Sequence, residues 1–139
     1  MMRGAMGQRP TALVIDDDKA YSHSICDVLE AAGVKMYVAS DASDAEELLR
    51  FLVPDLLIVD LRMPGMSGPV LTNWLRGKPG WRKVPIIVAS ALAMRADRDT
   101  ALASGADAFL PKPFTTKELR ATARRFLPTV QTAPLRPAM

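Results

Sequence analysis

The chain has one cysteine, Cys26, so no internal disulfide can form. That fits a reducing compartment, and a cytoplasmic location is expected. No apolar run approaches the roughly 18 residues a membrane-spanning helix needs, and no membrane partner is expected. Residues 1–10 lack the apolar stretch of about 7–15 residues that marks a signal peptide. They are read as a disordered N-terminal segment, some of it a candidate cloning remnant. Acidic residues are missing from both ends: all 15 lie between residues 11 and 127. Of the 18 basic residues, only Arg3, Arg9 and Arg136 lie outside that span, so the middle of the chain is formally neutral. The pI near 9.3 and the net charge of +3 therefore belong to the ends. This argues against direct nucleic-acid binding, which needs a basic face on the folded part.

What is present suits one α/β domain. A chain of 139 residues that is 49% hydrophobic can bury a core without a stapling metal. Apolar runs bounded by turn signals alternate with stretches of helical period. Strands are expected at Leu13-Val14-Ile15, Met36 to Ala39, Leu56 to Val59, Pro85 to Ala89 and Asp107 to Leu110. Helices are expected over 19–32, 42–52, 69–76, 92–104 and 115–127, with Asp18 capping the first, Gly33 closing it and Pro54 stopping the second. Pro128 ends the last, and residues 128–139, with three prolines and no periodicity, read as a tail or linker. Five strands alternating with five helices imply a parallel sheet between two helical layers with right-handed crossovers.

In such sheets ligands sit at the carboxyl ends of the strands. The polar residues there are Asp16, Asp17 and Asp18 after the first strand, Asp60 after the third, Ser90 after the fourth and Lys112 after the fifth. Clustered carboxylates repel one another, and a divalent cation relieves that. Mg²⁺ takes one or two carboxylates plus a phosphate and keeps some waters. An aspartate can attack phosphorus, and the transferring group then needs a metal, a cation and a hydroxyl donor around its oxygens.

Four segments carry a family resemblance: Leu13-Val14-Ile15-Asp16-Asp17-Asp18, Leu57 to Gly68 with Asp60 and Met63-Pro64-Gly65, Val88-Ala89-Ser90-Ala91, and Phe109-Leu110-Pro111-Lys112-Pro113-Phe114. In order and spacing they resemble the receiver domain of two-component response regulators, the CheY-like group, over residues 11–127. The resemblance implies a flavodoxin-like (βα)5 three-layer sandwich with strand order 2-1-3-4-5. It implies that Asp60 is the phospho-acceptor, that Mg²⁺ (with Mn²⁺ as a substitute) is held by Asp17 and Asp60 directly, by Asp16 through water and by the Arg62 backbone carbonyl, and that Ser90 and Lys112 hold the phosphoryl group. It also implies a cis bond between Lys112 and Pro113 and a switch formed by Ser90 and Phe109. Tyrosine is common where Phe109 stands, and phenylalanine offers no hydroxyl for an output contact. The donor would be a sensor histidine kinase or a histidine phosphotransfer protein. Such a domain is no enzyme in the usual sense, because it catalyses only its own phosphorylation and dephosphorylation. Its output surface would be the fourth helix, fifth strand and fifth helix, with Met94, Arg95, Arg98, Phe109, Arg120 and Arg124. A phosphorylation-dependent homodimer and an unidentified output partner or effector domain go with it. No effector follows the last helix, so the chain reads as a single-domain regulator or as a receiver cut from a longer chain.

Simpler roles are assigned elsewhere. His23 is an ordinary surface residue, Cys26 a small core or boundary residue, Trp74 a packing residue and Trp81 packing or a partner contact. Gly65 and Gly68 serve turns. Two other functions compete. A haloacid-dehalogenase-type phosphatase also uses an Asp-x-Asp element, which Asp16-Asp17-Asp18 fits, but Lys19 breaks the pattern after it and the only late acids are Asp107 and Glu118. A pseudo-receiver, a pure interaction module, usually lacks an acid, the acceptor or the lysine, and all are present here.

Overall fold

The computed structural model describes residues 9–60, 73, 75–77, 83–91, 95–103 and 105–130, with only the backbone described at 95–97. In chain order the elements are β1 (Thr11–Ile15), α1 (Lys19–Ala31), β2 (Lys35–Ala39), α2 (Ala42–Leu48), β3 (Leu56–Asp60), β4 (Ile86–Ser90), α3 (Arg95–Ala103), β5 (Ala108–Pro111) and α4 (Thr116–Arg124). The third expected helix, 69–76, lies mostly outside the described residues; within it Asn73, Leu75 and Arg76 are helical. The five strands pair in the order β2-β1-β3-β4-β5, every pair parallel. This is the doubly wound, flavodoxin-like arrangement expected.

Strand alternation sends neighbouring residues to opposite faces, so a central strand covered on both sides must be apolar throughout. β1 shows this: Ala12 and Val14 join one buried cluster with Ile25 and Leu29 of α1 and Leu119 and Ala123 of α4. Leu13 and Ile15 join the other with Ala45 of α2, Leu75 and Ala101 of α3. The sheet is thus the middle of three layers. Polar groups can leave it only at the strand ends.

Helix starts follow their caps. The Asp18 carboxylate accepts the Ala20 and Tyr21 N–H groups at the start of α1. α1 ends at the cap Ala32, one residue before Gly33, whose φ of 96° is the left-handed conformation glycine tolerates. Thr115 and Glu118 form a reciprocal capping box on α4. These hydrogen bonds from the Thr115 backbone and side chain lower the Glu118 pKa.

Two ends differ from expectation. α2 stops at Leu48, not at 52, because Arg50 and Phe51 hydrogen-bond three residues back in tightened turns, which leaves Phe51 almost fully exposed. α4 stops at Arg124, not at 127, as Arg125 and Phe126 hydrogen-bond three residues back, yet packing runs beyond Leu127: Val130 donates its N–H to the Leu127 carbonyl and is buried in the cluster under α1 and α4.

Arg76 ties the far end of the sheet together. Its Nε donates to the Gly105 carbonyl at 3.0 Å, Nη1 to the Val84 carbonyl at 2.6 Å and Nη2 to Asp107 Oδ2 at 2.6 Å. The same Asp107 oxygen accepts the Ile86 N–H at 2.8 Å. Asp107 is well exposed, so the ionic part is screened and the bonds to backbone matter more. Arg76→Ala is expected to cost about 1–2 kcal/mol in urea unfolding, with the carboxyl rim at the other end of the sheet little changed.

Candidate functional site

β1 delivers Asp16 to the carboxyl rim with almost no exposure. Its N–H donates to the Ala39 carbonyl at 3.0 Å, which continues the β1–β2 ladder one residue past the strand. Both carboxylate oxygens are engaged: Oδ1 accepts the Asp18 N–H at 2.9 Å, and Oδ2 receives Lys112 Nζ at 2.6 Å. Asp17 is exposed, and Asp60 at the end of β3 is half-buried. One carboxylate oxygen from each of Asp16, Asp17 and Asp60 lies within 4.8 Å of the others. Ser90 closes β4 and is 2% exposed. Its carbonyl accepts the Lys112 N–H at 2.7 Å, and the Lys112–Pro113 peptide is cis. The lysine backbone is thereby fixed to the serine, while its side chain turns back to Asp16.

Among the described residues the site brings three carboxylates together with the Lys112 ammonium. That is an all-oxygen donor set with excess negative charge, which suits a hard divalent cation such as Mg²⁺. Asp16 already gives both oxygens to protein donors. Asp16 therefore fits a water-mediated place beside a metal, with the Asp17 and Asp60 carboxylates next to it.

The fourth and fifth strands supply the rest. Val88 lies opposite Phe109 in the register, and Ser90 lies opposite Pro111. Val88 and Ser90 have the same parity on β4, so the Ser90 side chain and Phe109 share one sheet face. Phe109 is half-buried against the cluster of Leu13, Ile15 and Val88. Arg98 and Arg124 are exposed and Arg120 is half-buried. Arg62, Gly65, Gly68, Trp74, Trp81, Met94 and the Arg95 side chain lie outside the described residues.

His23 is exposed on α1, as expected. Cys26, one turn further along, is half-buried. Desolvation, with Glu30 and Asp27 adding repulsion, pushes its thiol up to about 11. A thiolate is the nucleophile, so labelling of Cys26 by iodoacetamide at pH 8 is expected to run about 100-fold slower than for a free thiol. The folded pKa is raised, so this group's contribution to stability is full below the ordinary thiol value and is lost as pH climbs toward 11. A labelling rate measured against unfolded protein in urea checks the first point, and urea midpoints measured as pH rises above 9 check the second.

Two aromatic residues near the site escape a sequence reading. The Tyr21 ring lies 4.2 Å, centroid to Nζ, from the Lys112 ammonium, and Phe114 packs on Tyr21 at 5.6 Å. Tyr21 sits just after the Asp18 cap and Phe114 two residues past Lys112. Proximity in sequence is therefore the available signal, but not the direction of the rings.

Comparison with known proteins agrees with this geometry. The family model for the response regulator receiver domain matches residues 12–124. The chain belongs to that family, whose members are the regulatory receiver domains of two-component systems. Among curated relatives, the phosphate regulon transcriptional regulatory protein PhoB of Rhizobium meliloti is 37% identical over 118 residues, 85% of this chain and 52% of the relative. The DNA-binding response regulator MtrA of Mycolicibacterium smegmatis is 39% identical over 116 residues, 84% of this chain and 50% of the relative. The chain thus spans about half the length of the curated relatives it matches. Among solved structures, the receiver domain of the Francisella response regulator 1452 superposes with a TM-score of 0.77 at 32% identity, covering 84% of this chain and 95% of that one. The receiver domain of the sensor histidine kinase PA1611 of Pseudomonas aeruginosa, solved with a magnesium ion coordinated in its active site cleft, gives 0.79 at 27% identity, covering 86% and 98%. Among the described residues no helix is long and apolar enough to cross a membrane.

Proposed function

We propose that this receiver is a phospho-acceptor switch with Asp60 as the acceptor. The observation that carries the reading is the convergence of the Asp16, Asp17 and Asp60 carboxylates within 4.8 Å, with Lys112 seated on Asp16. The donor is a phosphohistidine on a sensor kinase or a histidine phosphotransfer protein. An Asp60 oxygen attacks phosphorus, the P–N bond breaks, and the imidazole leaves with the electron pair and takes a proton from solvent. Hydrolysis reverses the state: water attacks phosphorus, inorganic phosphate departs and the carboxylate returns. Asp17 and Asp60 would hold Mg²⁺ directly, Asp16 through water, and Arg62 through its carbonyl. When bound, the metal supplies positive charge to the phosphoryl oxygens. Lys112 and the Ser90 hydroxyl supply the remaining charge and hydrogen bond.

Engagement of Ser90 draws it toward the phosphoryl group and frees space on the face it shares with Phe109. The Phe109 ring then moves inward, and the face of α3, β5 and α4 changes. That face, with Arg98, Arg120 and Arg124, meets the output partner or a second copy of the chain. Residues 11–127 form the receiver, and residues 128–139 serve as a linker or tail that starts with Val130 packed onto the domain. The relatives named as DNA-binding or transcriptional regulators are about twice as long as the matched region, so any DNA contact belongs to an output region and not to this domain.

The reading is tested by incubating the chain with Mg²⁺ and acetyl phosphate and measuring its mass. Uptake of one phosphoryl group, lost with EDTA, supports it. No uptake, or steady multiple turnover of p-nitrophenyl phosphate, refutes it.

A further inference from the structure

The Lys112 ammonium is nearly dry: its side chain is 6% exposed and that of Asp16 is 2% exposed. A desolvated cation needs compensation on more than one side. Asp16 Oδ2 supplies one side at 2.6 Å, and the Tyr21 ring face supplies another at 4.2 Å. That distance is within the range in which an ammonium is attracted to a ring quadrupole. The ring is itself held. Its backbone N–H donates to Asp18 Oδ1 in the first turn of α1, and Phe114 packs against it at an interplanar angle of 56°. Phe114 lies two residues past Lys112, so the loop that carries the lysine also carries the backing for its ring. A lysine stem has four carbons and many rotamers, and a free ammonium would wander among them.

We propose that Tyr21 is a positioning residue for phosphoryl transfer: its ring face, backed by Phe114, holds the Lys112 ammonium in the carboxylate cluster before the phosphoryl group arrives. The proposal rests on the reading of Lys112 as the cation that meets the transferred group. Charge set in place beforehand stabilises a transition state without reorganisation when the reaction occurs. The ring works through the lysine and touches no reacting atom. The aromatic face is the part required, and the hydroxyl is not.

The test uses the full chain with Mg²⁺ and acetyl phosphate. Tyr21→Leu is expected to slow phosphorylation about ten-fold, while Tyr21→Phe stays within about two-fold of wild type. Placed on Lys112→Ala, Tyr21→Leu is expected to add no further loss, since the residue it acts through is gone. A second readout needs neither metal nor phosphate. In proton NMR of the metal-free protein, the Lys112 ε-methylene signals should lie upfield under the ring current in wild type and Tyr21→Phe, and move back in Tyr21→Leu. If Tyr21→Leu does not fold, Tyr21→Met, closer in length, takes its place. The proposal is overturned by a Leu or Met variant with the wild-type rate, by equal slowing on the Lys112→Ala background, or by ε-methylene signals that ignore the ring. A wild type that takes up no phosphate sinks the phospho-acceptor reading and this proposal together. A competent wild type beside an unaffected Leu variant sinks this proposal alone.

Discussion

With Mg²⁺ and acetyl phosphate, wild-type protein is expected to gain the mass of one phosphoryl group and Asp60→Asn to gain none. The amide nitrogen's lone pair is delocalised, and the amide oxygen carries no full charge, so the nucleophile is lost while the shape stays. Expected uptake falls below detection. The fold should not suffer. Asp60 is one of three carboxylates within 4.8 Å of one another, and removing one negative charge relieves their repulsion. The melting temperature of Asp60→Asn is therefore expected to be equal to or above that of wild type, which separates lost chemistry from lost structure. Asp17 is proposed to hold the metal and Asp16 is occupied by Lys112 and the Asp18 N–H, so neither is expected to take over as acceptor. Phosphate on Asp60→Asn at the wild-type level would locate the acceptor elsewhere and end the assignment.

Much of the site can be read from the sequence, for a physical reason. Parallel strands buried on both faces must be apolar along their length, so the first polar residue after each marks the rim. Asp16, Asp60 and Ser90 are found that way, and the prolines on either side of Lys112 mark it as a fixed position and not a solvated lysine. The same local logic fails wherever a partner is distant or is backbone. Arg76 bonds the carbonyls of Val84 and Gly105, and no side-chain pattern announces a carbonyl. The end of α2 is misread from the pattern because Leu49 and Leu52 continue the helical period while the backbone has already tightened at Arg50 and Phe51. Val130 lies past Pro128, where composition suggests a tail, yet it is buried in the cluster that one face of the sheet forms with α1 and α4, which only the folded chain assembles. Tyr21 lies in plain view three residues past Asp18, but nothing local says that its ring would meet a lysine contributed by the other end of the chain.

The pair of Lys112 and Asp16 leads to the second large effect. Lys112→Met is expected to destabilise the metal-free protein by about 3 kcal/mol in urea unfolding, because it leaves the Asp16 charge buried with no opposite charge beside it. One hydrogen bond, from the Asp18 N–H to Oδ1, remains and keeps the loss toward the lower end of the range for broken buried pairs. Against a total stability of roughly 5–15 kcal/mol this is a large fraction. The figure measures the orphaned charge and not the net worth of the pair, since two buried ions give up much of their attraction to desolvation. The double substitution Asp16→Asn with Lys112→Met is therefore expected to recover at least about half of the loss, which makes the two changes strongly non-additive. Mg²⁺ offers a second route to recovery. Without the lysine the three carboxylates lose the ammonium seated on Asp16, so added Mg²⁺ should raise the melting temperature of Lys112→Met more than that of wild type. Phosphoryl uptake by Lys112→Met should nonetheless remain slow, because a metal on Asp17 and Asp60 cannot stand where the ammonium stood on Asp16. If Lys112→Met unfolds at the same urea concentration as wild type, the ammonium and carboxylate are wet in solution, and neither the buried pair nor the ring of Tyr21 fixes the cation in advance.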